Sequence, residues 1–74
     1  MSQVGDNLLS ALESKYKSEI ECSNATLQIY ITNPVGIGEH PQHLEEMDKL
    51  VDNIATNLDK LEAIRRIKNN NLNL

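Results

Sequence analysis

Phenylalanine and tryptophan are absent, and two tyrosines supply the whole aromatic content of the chain. The groups that could stack on bases are Tyr16, Tyr30, His40, His43 and Arg66. They are scattered and form no platform for a single strand. Basic residues are also scarce, 7 against 11 acidic, for a formal net charge of −4. General nucleic-acid binding needs a basic surface that releases counterions, so this balance excludes it. With one cysteine, Cys22, no intrachain disulfide can form, and no Cys/His spacing resembles a structural zinc site. No apolar run approaches the ~20 residues that cross a bilayer, so no membrane role is expected. Met1–Asp6 has neither the basic nor the apolar region of a signal peptide, which implies a reducing, intracellular setting. In that setting the glycosylation sequon Asn24-Ala25-Thr26 is a chance match.

What remains is 74 residues, 39% of them hydrophobic, enough for one small domain and too few for a two-domain enzyme with a cofactor fold. At this size a single core rarely supplies more than ~3–5 kcal/mol, and natural domains add disulfides, metals or partners. The first two are missing, so self-association is the expected route.

Three punctuation points divide the chain. Gly5-Asp6 opens the first helix, with Asp6 as the capping residue. Leu8, Leu12, Tyr16 and Ile20 then step by four, with Leu9 beside them. Thr26–Thr32 alternates apolar and polar residues and, taken alone, reads as a strand. A lone strand has no partner to bond, however, and no other segment supplies one. Continuing the helix puts Ile20, Leu27 and Ile31 near one face, so a helix over about 6–32 is the better reading, ended by the effect of Pro34 on Asn33. The second point is Thr32–Pro41, which holds both prolines and two of the three glycines and reads as a loop.

A second helix is expected over about 41–68, with Pro41 at its first position. Leu44, Met47, Val51, Ile54, Leu58 and Leu61 alternate steps of three and four, a heptad seam widened by Leu50, Ile64 and Ile67. Glu45, Glu46 and Asp48 near its start and Arg65, Arg66 and Lys68 near its end suit the helix dipole. Glu45–Lys49 and Glu62–Arg66 are i,i+4 pairs in the favourable order. The third point is the asparagine-rich tail, and residues 1–5 and 69–74 are expected to fray. The fold class is therefore all-α, one antiparallel two-helix hairpin. Part of its wide stripe stays uncovered, so a four-helix-bundle dimer or higher oligomer is expected, joined through Leu44, Met47, Val51, Ile54, Leu58 and Leu61.

The loop is the place where binding groups are expected. Gly36 and Gly38 could let backbone N–H groups converge on an anion, with Asn33, Glu39 and His40 around them. The plainer reading is preferred: Val35 and Ile37 plug the bundle end, the glycines supply positive φ, and Glu39 repels an anion. His40 and His43 are three apart, but Pro41 puts His40 at the helix boundary and the set is incomplete, so no metal is expected. His43 reads as solvated. Cys22 has no histidine near it and reads as a buried structural thiol. The carboxylates alternate with lysines along solvated faces. No catalytic constellation and no cofactor site emerges, and the chain reads as a non-enzyme.

The residues Leu12–Tyr16, the segment Asn33-Pro34-Val35-Gly36-Ile37-Gly38-Glu39-His40-Pro41 and the Leu/Asp/Lys-rich Met47–Leu61 together resemble a group of small proteins of T4-like and related tailed phages. The resemblance covers most of the chain and implies a phage origin and action in the cytoplasm of the infected bacterial host. It carries over no catalytic or binding residue. It implies an accessory protein that binds and modulates a host protein or defence system. Two alternatives stand beside that reading: an oligomer that sequesters a nucleotide-like anion at Asn33–Pro41, and a minor structural or assembly component of the particle.

Overall fold

The computed structural model describes residues 2–32 and 42–72. They form two α-helices, α1 (Gln3–Thr32) and α2 (His43–Lys68), packed side by side. Pairings along the contact run in opposite directions: Tyr30 meets His43, Tyr16 meets Lys60, and Glu13 meets Lys68. The arrangement is an antiparallel hairpin, and no strand occurs among the described residues. It is a rod of 52 × 26 × 15 Å. Its radius of gyration is 16.4 Å, against about 11 Å for a compact domain of this length.

Ser2, and not Asp6, caps α1. Its Oγ accepts the Gly5 N–H at 3.0 Å and its carbonyl accepts the Asp6 N–H at 2.9 Å. Helix therefore begins three residues earlier than expected, and Asp6 lies in the first turn, where a negative charge favours the dipole. Thr26–Thr32 is helical. The Thr26 hydroxyl donates to the Cys22 carbonyl at 3.1 Å and the Thr32 hydroxyl to the Gln28 carbonyl at 2.6 Å, so both threonines are satisfied inside the helix.

α2 starts at His43, two residues later than expected, with the Gln42 carbonyl accepting the Glu46 N–H at 3.0 Å. Pro34 and Pro41 lie outside the described residues. At the other end the asparagines close the helix where fraying was expected. Asn70 takes the left-handed conformation, φ 55°. Its N–H bonds the Ile67 carbonyl at 3.0 Å, and the Asn71 N–H bonds the Arg66 carbonyl at 2.8 Å. That pair of bonds is a Schellman motif, and asparagine is the residue that best replaces glycine at its left-handed position.

The inward rows follow heptad steps. In α1 they run Leu9, Glu13, Tyr16, Ile20, Ser23, Leu27 and Tyr30; in α2, His43, Met47, Leu50, Ile54, Asn57, Leu61 and Ile64. Met47, Ile54 and Leu61 of the expected seam turn toward α1. Leu44, Val51 and Leu58 do not, remaining 78%, 51% and 53% exposed. Two overlapping stripes share Met47, Ile54 and Leu61, and the packing selects the one that includes Leu50 and Ile64. In α1, likewise, Leu9 and Glu13 replace Leu8 and Leu12 at the contact, and Ile31 faces out.

The middle of the hairpin is polar. Asn57 and Ser23 are 3% and 6% exposed, and among the described residues the only hydrophobic one buried as deeply is Ile64. Asn57 Nδ2 donates to the Asn53 carbonyl at 2.7 Å and to Asn53 Oδ1 at 3.1 Å. Asn53 Nδ2 donates to Ser23 Oγ at 2.6 Å, with longer contacts to Glu19 Oε2 and the Glu19 carbonyl at 3.4 and 3.5 Å. Buried amides that find partners in only one alignment favour that alignment over its neighbours. Asn53→Ala should strand the Ser23 hydroxyl and leave the Asn57 amide with the backbone carbonyl alone, lowering stability by about 1–3 kcal/mol. Asn57→Leu should instead raise the urea midpoint, as apolar packing replaces a buried amide. Urea titrations of both variants at one fixed protein concentration check the opposite signs.

Candidate interaction surface

Each end of the hairpin is fastened by a cross-helix contact that no spacing rule announces. Near the connection, the rings of Tyr30 and His43 meet edge to face, with centroids 5.6 Å apart at 76°. His43 is half-buried there, not solvated as expected. Further along, Lys60 Nζ lies 5.3 Å from the centre of the Tyr16 ring, a cation–π contact. At the open end Lys68 pairs with Glu13. Their hydrogen bond holds the Glu13 carboxyl below the ordinary glutamate range. Sequence spacing cannot find this pair, because its members are 55 positions apart and Glu13 occupies a position that an apolar residue normally fills.

The remaining charges run along the outside. Glu62 receives Arg65 through two bonds at 2.6 and 2.8 Å and Arg66 at 3.3 Å. These two guanidinium groups bring the Glu62 pKa down to about 2. The expected Glu62–Arg66 pair is therefore present, joined by Arg65. Lys49, expected on Glu45, pairs with Glu46 at 3.3 Å. Glu45, Lys49, Asp52 and Asp59 are exposed, so the outer face of α2 is a wet, charged one.

Two apolar surfaces remain uncovered. The first is the row Leu44, Val51 and Leu58, repeating every seven residues along α2 and spanning about 21 Å. Ile31 extends it onto α1: Ile31 and Leu44 each follow a member of the Tyr30–His43 contact, and one further residue turns both helices of an antiparallel pair toward the same side. The second is the outer face of α1, where Val4, Leu8 and Ile29 are exposed. Cys22 lies on that face. It is exposed, which corrects the expectation of a buried thiol: its position is opposite the inward row, and no described segment covers it. A surface depression of about 260 Å³ near the open end is lined by Asp59, Glu62, Ala63, Arg66 and Leu72.

The expected loop residues Asn33, Gly36, Gly38, Glu39 and His40 lie outside the described residues. Among the described ones, no group of three His, Cys, Asp or Glu is placed to hold a metal ion, and no helix is long and apolar enough to cross a membrane. Sequence spacing located Leu44, Val51 and Leu58 but placed them in one seam with three residues that the hairpin itself covers. The missing clue was the pair Asn57 and Asn53, buried and half-buried side by side on α2, of which Asn53 reaches Ser23 on α1.

The depressed pKa of Glu62 has a signed consequence. A carboxyl whose folded pKa is lowered contributes stability that is complete above its ordinary value of 4.5 and is lost as pH falls toward 2. Wild type should therefore melt above Glu62→Gln at neutral pH, and the gap should close between about pH 5 and about pH 2. Because the pair is exposed, added salt should narrow the gap as well. Thermal melts of both chains across that range, with and without salt, check it.

No family model, no curated protein and no solved structure matches this chain.

Proposed function

We propose that the chain is a small, non-enzymatic phage accessory protein that works by binding, with copies of itself and one protein of the infected bacterial host completing its surface in the host cytoplasm. The phage setting is supported by the resemblance carried by Leu12–Tyr16, Asn33–Pro41 and Met47–Leu61. The binding role is supported by one observation about burial. Among the described residues Ile64 is the one hydrophobic residue buried as deeply as the polar pair, while ten large apolar side chains stand exposed. Apolar side chains exposed in continuous rows mark contact surfaces, whereas single scattered ones carry no such meaning.

The row of Ile31, Leu44, Val51 and Leu58 is the host-facing surface. At about 21 Å it matches four turns of a partner helix, and its spacing matches the anchors of helix-in-groove recognition. Its side chains are already ordered by a regular helix, which lowers the entropy lost on docking.

Affinity capture with the whole immobilised chain from host lysate should retain one stoichiometric protein. The double variant Leu44→Ser, Leu58→Ser should weaken that retention at least about tenfold, the scale of losing one binding hot spot. Circular dichroism of the variant should stay unchanged, because neither side chain faces α1. Absence of a stoichiometric partner, or capture indifferent to this row, would refute the reading.

A further inference from the structure

The outer face of α1 has a pattern of its own. Starting at Val4 and ending at Ile29, positions separated by alternating steps of four and three carry bulky residues at both ends and small ones between them. All of these positions are exposed. The face is about 38 Å long, almost twice the length of the row on α2, and Lys15 is its one charged residue. The corresponding face of α2 carries Glu45, Lys49, Asp52 and Asp59. The hairpin thus has one dry outer face and one wet one.

We propose that the dry face of α1 is where a second copy of this chain docks, the two α1 helices packing antiparallel around a two-fold axis between residues 16 and 17. This deepens the self-association put forward above by naming its face and register. Heptad steps let two antiparallel helices interdigitate when each position of one type meets a position of the other type. In the register centred between residues 16 and 17, Leu8 faces Ala25 of the second copy, Cys22 faces Ala11, and Ile29 faces Val4. Two of these layers set a large or medium side chain against alanine, which lets the backbones approach closely.

Charge complementarity across this register comes from Lys15 and two glutamates, which offset the about 4.5 Å axial approach of the two Lys15 residues. Lys15 then lies opposite Ser18 of the second copy, between that copy's Glu19 and Glu21, and the symmetry repeats the arrangement. Among the described residues of the unpaired hairpin neither Glu19 nor Glu21 has an ion-pair partner, and the Glu19 carboxylate accepts from the Asn53 amide at 3.4 Å. A second copy therefore supplies both the apolar cover and the opposite charge. The outer face of α2, with Asp52 and Asp59 and no apolar row, offers a copy neither. The row at Leu44, Val51 and Leu58 is unused by this contact and stays open to a different protein.

Cysteine placement tests the geometry. Residue 22 lies about 16 Å along the axis from residue 22 of the second copy in this register, beyond the 4.4–6.8 Å between Cα atoms that a disulfide allows. Wild type treated with a mild oxidant should therefore stay uncrosslinked on a non-reducing gel. Ala11→Cys should crosslink into a covalent dimer through Cys22 of the other copy, and Ala11→Cys combined with Cys22→Ser should not. Light scattering should give a dimeric mass for wild type, and Ala25→Arg should shift it to the monomer with helicity intact, because Ala25 is exposed and does not face α2. Lys15→Glu should weaken the dimer, and the effect should fall at high salt. A monomeric wild type would overturn self-association altogether. A dimer that crosslinks through Cys22 alone would show parallel pairing, and a dimer unaffected by Ala25→Arg would place the contact elsewhere. Either result overturns the proposed face.

Discussion

Two helices laid side by side hide one flank each and leave the rest in water. Everything notable about this chain follows from that geometric limit. With neither Phe nor Trp, the inward rows are filled mainly by aliphatic and polar residues, joined by Tyr16, Tyr30 and His43, and few of them disappear from solvent. A third or fourth helix would bury them. The described residues form two helices, and apolar residues recur on surfaces that face away from the hairpin contact.

The contact itself divides its tasks by position. A ring pair and an ion pair sit toward the ends, while Asn57, Asn53 and Ser23 lie in the middle with Lys60 over the Tyr16 ring beside them. Hydrophobic contact alone tolerates sliding by one heptad, because leucine packs acceptably against most neighbours. Directed amide bonds do not tolerate it. The centre therefore contributes alignment more than stability, and the ends contribute the reverse.

Much of the fold was legible because helical periodicity survives in a single sequence. The all-α hairpin, the end of the first helix at Thr32 and the end of the second at Lys68 all follow from the placement of apolar residues, and from the lack of any strand partner for Thr26–Thr32. The helix starts were less legible. Ser2 and Asp6 are both capping residues, and only the backbone bonds distinguish them. Periodicity also could not choose between two stripes that share half of their residues. That choice depends on a pairwise fact, Ser23 meeting Asn53 beside Asn57, and such facts between distant positions leave no mark on local spacing. For the same reason Glu13 read as a surface charge until Lys68 came beside it, and Cys22 read as buried when its side of the helix has no neighbour.

The central amides act as a vernier for the whole rod. Asn53 reaches Ser23 across the contact and so sets the alignment from inside the helices. A rod aligned this way keeps its relative reading where aliphatic contacts alone would allow a slip of one heptad.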